Sequence, residues 1–391
     1  MRLAACFLAF AASAAQPPAV TQRLAAIAPR MQALVDEHAM AGCVYLVSQH
    51  GETLVNNAVG WRDIEARQPM STGSLFQIMS MTKPITAAGL MMLVEEGKVV
   101  LTDPVERYLP EFAAQPGPEG SPHRRITLYQ LLTHTSGMAS DPPADRRAEI
   151  QYQMALSLAD AVKFFAAQPL RTEPGAKWNY SNMGIATIGR VIEVFSGMPY
   201  EKFIAQRILT PLGMQDSFFF PDAARIPRIA MLYRAEEGKL TPPGPDVLGG
   251  DPLKHRQGAK YPAPEFGLYS TAADVASFYQ MMLDGGTYKG TRLLSRSAVE
   301  VMTALHTGNL QTFNLGSGNG LAFTVPRDGD STYDLVSEDS FGHGGAFGTW
   351  SFADRSKGLV GVFMVQLTGA DSGRPQHIFD AMVEAAIERV K

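Results

Sequence analysis

The sequence predicts an α+β fold, in which an antiparallel β-sheet is flanked by N- and C-terminal helices and carries a large, mostly helical insertion. Runs rich in β-branched residues occur near both ends of the chain, and amphipathic helical patterns lie beside them. The long segment between these ends shows mostly helical spacing. With 391 residues, 46% of them hydrophobic and 18% charged, the chain is long enough for one large composite domain.

The first predicted elements are a helix and a β-hairpin. Between Thr21 and Met40, apolar residues recur three and four positions apart, which predicts an amphipathic helix. Two β-branched runs follow at Gly42–Ser48 and Thr53–Gly60, and the four residues between them indicate a hairpin turn. The far end of the chain carries the same kinds of element, namely strands at Gly348–Ala353 and Leu359–Gln366 and a helix near Pro375–Val390.

The predicted helical insertion covers about residues 76–305, which leaves about residues 21–75 and 306–391 for the sheet and its helices. Capping-box spacing marks helix starts within it, at Thr127 with Gln130, Ser157 with Asp160, and Thr271 with Asp274. Proline- and glycine-rich stretches at 115–122 and 241–264 are loops of the kind that carry substrate contacts when a rigid scaffold positions them.

Charge and composition exclude several classes of protein. The net charge of −4 provides no positive field for a polyanion, so we expect no nucleic-acid partner. Two cysteines, Cys6 and Cys43, are too few for a disulfide scaffold. The eight histidines are scattered, and no nucleotide-binding glycine motif follows a strand, so we expect neither a metal nor a cofactor.

The N-terminus resembles a secretory signal peptide. Arg2 supplies a positive charge, Leu3–Ala11 is a short apolar run, and small residues follow. We expect cleavage after Ala14 or Ala15, with the mature protein periplasmic or secreted; the alternative is an apolar terminus of a cytosolic protein. Elsewhere no stretch approaches the ~20 apolar residues of a membrane span, so we expect no stable membrane insertion.

The first candidate catalytic motif is Ser80-Met81-Thr82-Lys83. It opens a predicted helix, Lys83–Glu96, which Gly97 ends, so that Ser80 and Lys83 share one helix face. The lysine amine can take the serine proton if burial or nearby positive charge keeps part of it neutral. The helix N-terminus offers a backbone N–H to a developing oxyanion. Because this spacing also occurs by chance, the motif alone does not define a site.

The second candidate is Tyr180-Ser181-Asn182, which precedes a predicted helix at Met183–Phe195. Beside an ammonium group the phenolate of Tyr180 is favoured, and it can shuttle a proton between the serine and the leaving group. Asn182 can donate to or accept from a substrate carbonyl or amide. Alternatively, the tyrosine packs in the core and the asparagine caps the helix.

The third candidate is Gly342-His343-Gly344-Gly345-Ala346, placed just before the predicted strand that contains Trp350. Its glycines allow a ligand or another backbone to approach the sheet edge closely, so a strand N–H is a candidate second oxyanion donor. The alternative is a glycine-rich turn that enters a strand.

Taken together and in this order, the three motifs resemble those of the penicillin-recognising serine hydrolases. The chain is similar to the class C β-lactamase fold, which family VIII carboxylesterases and certain D-amino-acid peptidases share. Similar supporting stretches lie at Leu131–Gly137, Pro211–Met214 and Gly267–Asp274. The resemblance covers nearly all of residues 16–391 and implies an acyl-enzyme on Ser80, with Lys83 and Tyr180 together as general base and acid. Either of the two is the primary base at this point, and Tyr180 then protonates the leaving alkoxide. It also implies an oxyanion hole formed by the N–H groups of Ser80 and Ala346.

One position departs from the family pattern. Where β-lactamases and cell-wall peptidases carry Lys-Thr-Gly or a close relative, this chain has His343-Gly344-Gly345. Histidine, with an ordinary pKa near ~6.5, is mostly neutral at pH 7, so the site is less committed to a substrate carboxylate. We therefore expect neutral esters, bound by Asn182 on the acyl side and by His343, Gly344 and Gly345 on the leaving-group side. Aromatic residues are candidate pocket walls or core residues: Trp178, Phe218, Phe219, Phe220 and Tyr269.

Two other functions stay open at this point. One is a β-lactamase or D-amino-acid peptidase that acts on β-lactams or peptidoglycan peptides, so the small-molecule substrate is an ester, an amide or a lactam. The other is a non-catalytic module that binds penicillin-like or peptide ligands, against which the intact Ser80, Lys83 and Tyr180 weigh. The sequence has no G-x-S-x-G motif, which argues against an α/β-hydrolase. We interpret His134 as a structural group at a helix end.

Overall fold

The computed structural model describes residues 18–313, 316–327 and 337–387. The predicted signal peptide, residues 1–15, lies outside these ranges. Within them, the α-helices are α1 (Pro18–Ala25), α2 (Ile27–Asp36), α3 (Thr82–Glu95), α4 (Leu128–Leu132), α5 (Ala144–Arg147), α6 (Leu158–Ala166), α7 (Asn182–Ser196), α8 (Tyr200–Ile204), α9 (Ala272–Leu283), α10 (Arg296–Met302) and α11 (Arg374–Ala386). Single π-helical turns at Ala148–Tyr152 and Ala205–Leu209 extend α5 and α8.

The strands of the same residues are β1 (Gly42–Gln49), β2 (Glu52–Asp63), β3 (Gln68–Pro69), β4 (Phe76–Gln77), β5 (Tyr233–Glu236), β6 (Lys239–Thr241), β7 (Tyr269–Ser270), β8 (Thr287–Tyr288), β9 (Thr291–Arg292), β10 (Ser317–Asn319), β11 (Thr324–Pro326), β12 (Ser340–Gly344), β13 (Trp350–Asp354), β14 (Leu359–Met364) and β15 (Leu367–Thr368). The main sheet has eight strands in the order β10-β11-β12-β13-β14-β1-β2-β3. All of its pairs are antiparallel. The α+β prediction, with strands from both ends of the chain in one antiparallel sheet, is confirmed.

Helices cover both faces of this sheet. On one face, α2 and α11 pack over Tyr45 and Phe363, and the ring of Phe379 on α11 lies 5.9 Å from that of Tyr45. On the other face lies the larger core, to which α3, α7 and α9 contribute. Since both faces are covered, all eight residues of β1 are buried. Among the residues of the described ranges, no helix is long and apolar enough to cross a bilayer.

Several element boundaries differ from the predictions for local reasons. The single N-terminal helix predicted between Thr21 and Met40 is instead α1 and α2, because the Ala26 N–H bonds to the carbonyl of Arg23 in a tighter turn. The strand predicted from Gly348 begins at Trp350, since Gly348 has a φ of +79° and cannot continue an extended segment.

Capping behaves as predicted at three helix starts. Thr127 forms a reciprocal capping box with Gln130, while Ser157 and Thr271 each accept a hydrogen bond from the backbone N–H three residues on. These caps define where α4, α6 and α9 begin within the helical half of the protein. The site described next lies where that half meets β12 and β13.

Candidate active site

Ser80 lies in a tight 3₁₀ turn, Met79–Met81, that leads directly into α3. The preceding residue, Met79, is fully buried and has a φ of +50°, in the left-handed region that a bulky side chain rarely adopts. The hydroxyl of Thr82 donates a 2.7 Å hydrogen bond to the Met79 carbonyl and helps to hold this conformation. Backbone strain of this kind costs about 1–3 kcal/mol and clusters at functional sites.

Lys83 lies one turn along α3 from Ser80, and its side chain is fully buried. Its Nζ lies 3.0 Å from the Ser80 Oγ, 2.8 Å from the Asn182 Oδ1 and 2.8 Å from the backbone oxygen of Glu265. Burial lowers the pKa of Lys83 to about 7. The amide and the carbonyl accept two N–H bonds, so a neutral amine has its lone pair left for the Ser80 proton.

Asn182 is oriented by a carboxylate that the sequence analysis did not identify. Its Nδ2 donates to Asp141 Oδ1 at 2.8 Å, so its Oδ1 is directed at Lys83. Asp141 also accepts from Gln151 and from Ser140. Both ends of the amide are therefore used within the protein, and Asn182 is not among the residues that line the cavity beside Ser80. The α7 N-cap is Ser181, which accepts from the Gly184 N–H.

Tyr180 lies beside both Ser80 and Lys83. Its phenol interacts with the Ser80 hydroxyl, and the Lys83 Nζ lies 4.6 Å from the centre of its ring. The structure differs here from the expected phenolate, because burial raises the pKa of Tyr180 above its usual range. The phenol is therefore neutral and can donate a proton.

His134 packs against Tyr180, with ring centres 4.5 Å apart. It follows the end of α4, as predicted, and its Nδ1 accepts a 3.2 Å hydrogen bond from the Ser181 N–H. Burial holds the pKa of His134 well below its usual value, so the ring is neutral. These contacts fit a structural group that fixes the start of the Tyr180–Asn182 segment.

His343 lies within β12, so the motif predicted to precede a strand is itself partly a strand. The residue is 5% exposed, and its Nδ1 donates to the carbonyl oxygen of Gly344 at 2.7 Å. Burial and the nearby Lys83 charge lower the pKa of His343 to about 3. The imidazole is therefore uncharged at neutral pH.

Ala346 lies in the turn between β12 and β13 rather than in a strand. It lines the same cavity as Ser80, and its N–H has no acceptor among the described residues. The Thr349 hydroxyl donates a 3.1 Å bond to the Ile78 carbonyl and joins this turn to the segment before Ser80. A Cβ at Gly345 would lie 2.1 Å from the Thr349 Oγ1 and 2.5 Å from the Ile78 oxygen, so only glycine permits this approach.

A cavity of about 550 Å³ opens beside Ser80. Its aromatic and aliphatic walls are Trp178, Tyr180, Phe313, Val325, Pro326, Phe341, Trp350 and Phe352. Among the described residues, none of its lining side chains is a lysine, arginine, aspartate or glutamate. His343 and Gly344 line it as predicted, whereas Gly345 packs behind them.

The predicted aromatic walls are divided between two places. Trp178 lines the Ser80 cavity, but Phe218, Phe219 and Phe220 line a separate cavity of about 420 Å³ beside α8. Tyr269 is buried and stacks on Phe218 at 5.4 Å. No group of three or more histidine, cysteine, aspartate or glutamate side chains in the described part of the chain is arranged to hold a metal ion.

Comparison with known proteins supports the same assignment of fold and chemistry. A family model described as Beta-lactamase matches residues 27–383. Esterase EstB of Burkholderia gladioli is 31% identical over 68% of this chain and 72% of its own length. Penicillin-binding protein 4 of Amycolatopsis lactamdurans is 32% identical over 82% of this chain and 78% of its own. The solved structure of EstCE1, a hydrolase with promiscuous acyltransferase activity, superposes with a TM-score of 0.80 at 22% identity, covering 94% of this chain and 98% of that one.

Proposed function

Because the chain belongs to the beta-lactamase family and is a serine hydrolase of that type, we propose that it cleaves neutral carboxylic esters through an acyl-enzyme on Ser80. The observation that carries this proposal is that, as far as the described residues extend, the cavity beside Ser80 is lined by no lysine, arginine, aspartate or glutamate side chain. A substrate carboxylate placed there would lose its hydration without meeting a lysine or arginine of the cavity wall. A neutral ester meets aromatic and aliphatic walls instead.

His343 strengthens the argument for neutral substrates. Penicillins, cephalosporins and peptides that end in a carboxylate all carry a negative charge beside the scissile bond. The residue at the position of the expected lysine is here an imidazole whose pKa is lowered to about 3 by its burial. It can supply hydrogen bonding but no positive charge at neutral pH.

Acylation begins with proton transfer from Ser80 to Lys83. The neutral amine, 3.0 Å from the Ser80 Oγ, takes the proton as the oxygen attacks the ester carbonyl. The backbone N–H groups of Ser80 and Ala346 bind the oxyanion, for which one preorganised donor contributes ~3 kcal/mol. Tyr180, a neutral phenol, then gives its proton to the leaving alkoxide as the bond to the acyl carbon breaks.

The proton balance closes within the same three residues. The phenolate left on Tyr180 is reprotonated by the Lys83 ammonium, which restores both neutral groups. Water then attacks the acyl carbon and gives one proton to the Lys83–Tyr180 pair. The pair returns that proton to the Ser80 oxygen as its bond to the acyl carbon breaks, so the carboxylic acid leaves and all three residues regain their starting protonation states. Lys83 thus acts as the base and Tyr180 as the acid in acylation.

The alternative substrates are β-lactams and D-amino-acid peptides, which the similarity to penicillin-binding protein 4 favours.

We also propose that the protein is exported, because residues 1–15 resemble a signal peptide. N-terminal sequencing of the protein recovered from the periplasm or medium tests this, since it would begin after Ala14 or Ala15.

The substrate class is tested by measuring kcat/KM for a series of p-nitrophenyl acyl esters and for a chromogenic cephalosporin. We expect ester turnover to exceed cephalosporin turnover by at least ~100-fold. In the Ser80→Ala variant, ester turnover should fall on the order of 1000-fold or more. Ser277→Ala, on α9 outside the cavity, is the matched control and should keep wild-type rates. Efficient cephalosporin hydrolysis would overturn the ester proposal, and Ser80-independent ester turnover would overturn the acyl-enzyme.

A further inference from the structure

We propose that the side chain of Glu265 is a positioning residue whose negative charge determines the pH range in which Lys83 works as a base. The inference rests on the proposed function, because it concerns the same Lys83. Glu265 is not part of the three sequence motifs, and its carboxylate has no role in the proton transfers described above.

Glu265 is a buried acid fixed at the back of the site. Only 1% of the residue is exposed, and its backbone oxygen accepts the 2.8 Å bond from the Lys83 Nζ. The Tyr261 hydroxyl donates to its Oε1 at 2.9 Å. Its Oε2 is buried and has no hydrogen-bond partner among the described residues. Burying a carboxyl group with one oxygen unpartnered is costly, so a purely structural residue here would be better as a neutral one.

The segment that carries Glu265 is clamped onto α3. The Thr86 hydroxyl donates to the Pro264 carbonyl at 2.5 Å, and the Leu268 N–H donates to the Thr82 hydroxyl at 3.1 Å. At Gly267 a Cβ would lie 1.7 Å from the Pro262 oxygen, so no other residue fits there. These contacts therefore hold Glu265 at a fixed position relative to Lys83, which lies on α3.

The ionisable groups that interact with Glu265 come from several elements. They are Lys83 on α3, Tyr200 on α8, and Asp141, Tyr180, Arg256 and Tyr261 on loops. Arg256 donates to the carbonyls of Gly249, Phe219 and Gly267 rather than to a carboxylate. Among these ionisable residues, Lys83 is therefore the cation whose protonation the charge of Glu265 can change.

Burial brings the pKa values of the Glu265 carboxyl and the Lys83 amine close together. Burial raises the pKa of Glu265 to about 7, and burial lowers that of Lys83 to about 7. An ionised Glu265 stabilises the ammonium that Lys83 becomes when it takes the Ser80 proton, as the acid of a catalytic triad stabilises its imidazolium. Without that charge, Lys83 would be neutral at lower pH but a weaker proton acceptor.

The test is the pH dependence of kcat/KM for a p-nitrophenyl ester in wild type and in Glu265→Gln. The glutamine keeps the shape and the backbone carbonyl but removes the charge, so the acid limb should move to lower pH by about 1 unit or more. At the plateau, kcat/KM should fall, because a weaker base accepts the Ser80 proton. A role in folding alone would lower the rate at every pH and leave the limb in place, which would overturn the inference.

Tyr261→Phe provides a second variant if Glu265→Gln does not fold. It removes the bond to the ionised carboxylate and so raises the pKa of Glu265, and the limb should move in the same direction by a smaller amount. Asp274→Asn is the matched control and should leave the acid limb unmoved. Asp274 is another partly buried carboxylate, and it accepts hydrogen bonds from the Ser217 hydroxyl and the Asp216 N–H. Loss of turnover in Ser80→Ala with an unmoved limb in Glu265→Gln would refute this inference while leaving the proposed function intact.

Discussion

At the scale of single residues, burial has the largest effect on the pKa of Lys83. Within the described part of the chain, no carboxylate or histidine is bonded to the Lys83 amine; its partners are the Asn182 amide oxygen, a backbone carbonyl and the Ser80 hydroxyl. Desolvation removes the hydration that favours the charged form and so lowers the pKa of the amine, which makes its neutral, proton-accepting form available near neutral pH. Burial also raises the pKa of Tyr180, so one environment favours a neutral amine beside a neutral phenol, as the proposed base and acid require.

The acidity of Lys83 predicts the shape of the pH profile. Its active form is the neutral amine and its pKa is about 7, so kcat/KM for a neutral ester should rise about tenfold per pH unit below that value and level off above it. Initial rates at the isosbestic wavelength of nitrophenol measure this. His343 and His134 have pKa values far below 7, so a limb at acidic pH instead would assign the base to another group.

The site residues that the sequence predicted lie in recognisable motifs, and those that it did not predict lie outside them. Ser80, Lys83 and Tyr180 belong to motifs, and the structure brings all three together. Asp141 and Glu265 belong to none, because their effect depends on contacts across segments far apart in the chain. The one available signal for Glu265 was its place as a lone acid in the apolar, proline-rich stretch that begins at Tyr261.

At the scale of elements, the turn between β12 and β13 carries Ala346, the proposed second oxyanion donor. The strand that leads into this turn, β12, was not predicted, because Gly342 and Gly344 lack the β-branched side chains that mark β1 and β14. Cross-strand pairing compensates, since His343 is in register with Ser351 on β13. Long strands and capped helices were predictable from local patterns, whereas glycine-rich strands depend on their partners.

Gly345→Ala tests the turn directly. The added Cβ would collide with the Thr349 hydroxyl and the Ile78 carbonyl, which would push the turn away from Ser80. We expect kcat/KM to fall by at least ~100-fold, the effect of losing one oxyanion donor, with a modest drop in Tm. Gly244→Ala is the matched control, because its Cβ would meet nothing within 4 Å. Wild-type turnover in Gly345→Ala would show that the turn does not hold a donor.

At the scale of the whole molecule, the two ends of the chain meet at the sheet. The turn after β13 carries Lys357, whose buried ammonium pairs with the carboxylate of Glu384 on α11 and also donates to its backbone oxygen at 3.2 Å. The backbone oxygen of Lys357 in turn accepts from Gln49 at the end of β1 at 3.0 Å. These contacts join the first strand, the last hairpin and the last helix.

Removing one partner of this pair should destabilise the protein strongly. Lys357→Met leaves the buried Glu384 carboxylate without the lysine charge, and we expect a loss of about 3–5 kcal/mol in the free energy of unfolding. Denaturant unfolding measures it. The double variant Lys357→Met with Glu384→Leu should recover most of the loss. Lys163→Met, in a pair whose side chains are 66% and 62% exposed, should change stability by less than about 1 kcal/mol, and equal effects at both sites would contradict this account.

The bond from Thr349 to the Ile78 carbonyl spans 271 positions of the chain, and it carries a consequence for the order of assembly. As the chain leaves the ribosome, Ser80, Lys83 and Tyr180 emerge long before the β12–β13 turn. Contacts of such separation form late, because the intervening chain must first be brought together. The nascent protein thus holds its proposed nucleophile and base without the turn proposed to bind the oxyanion, and the proposed site is complete only when the last strands dock beside the first.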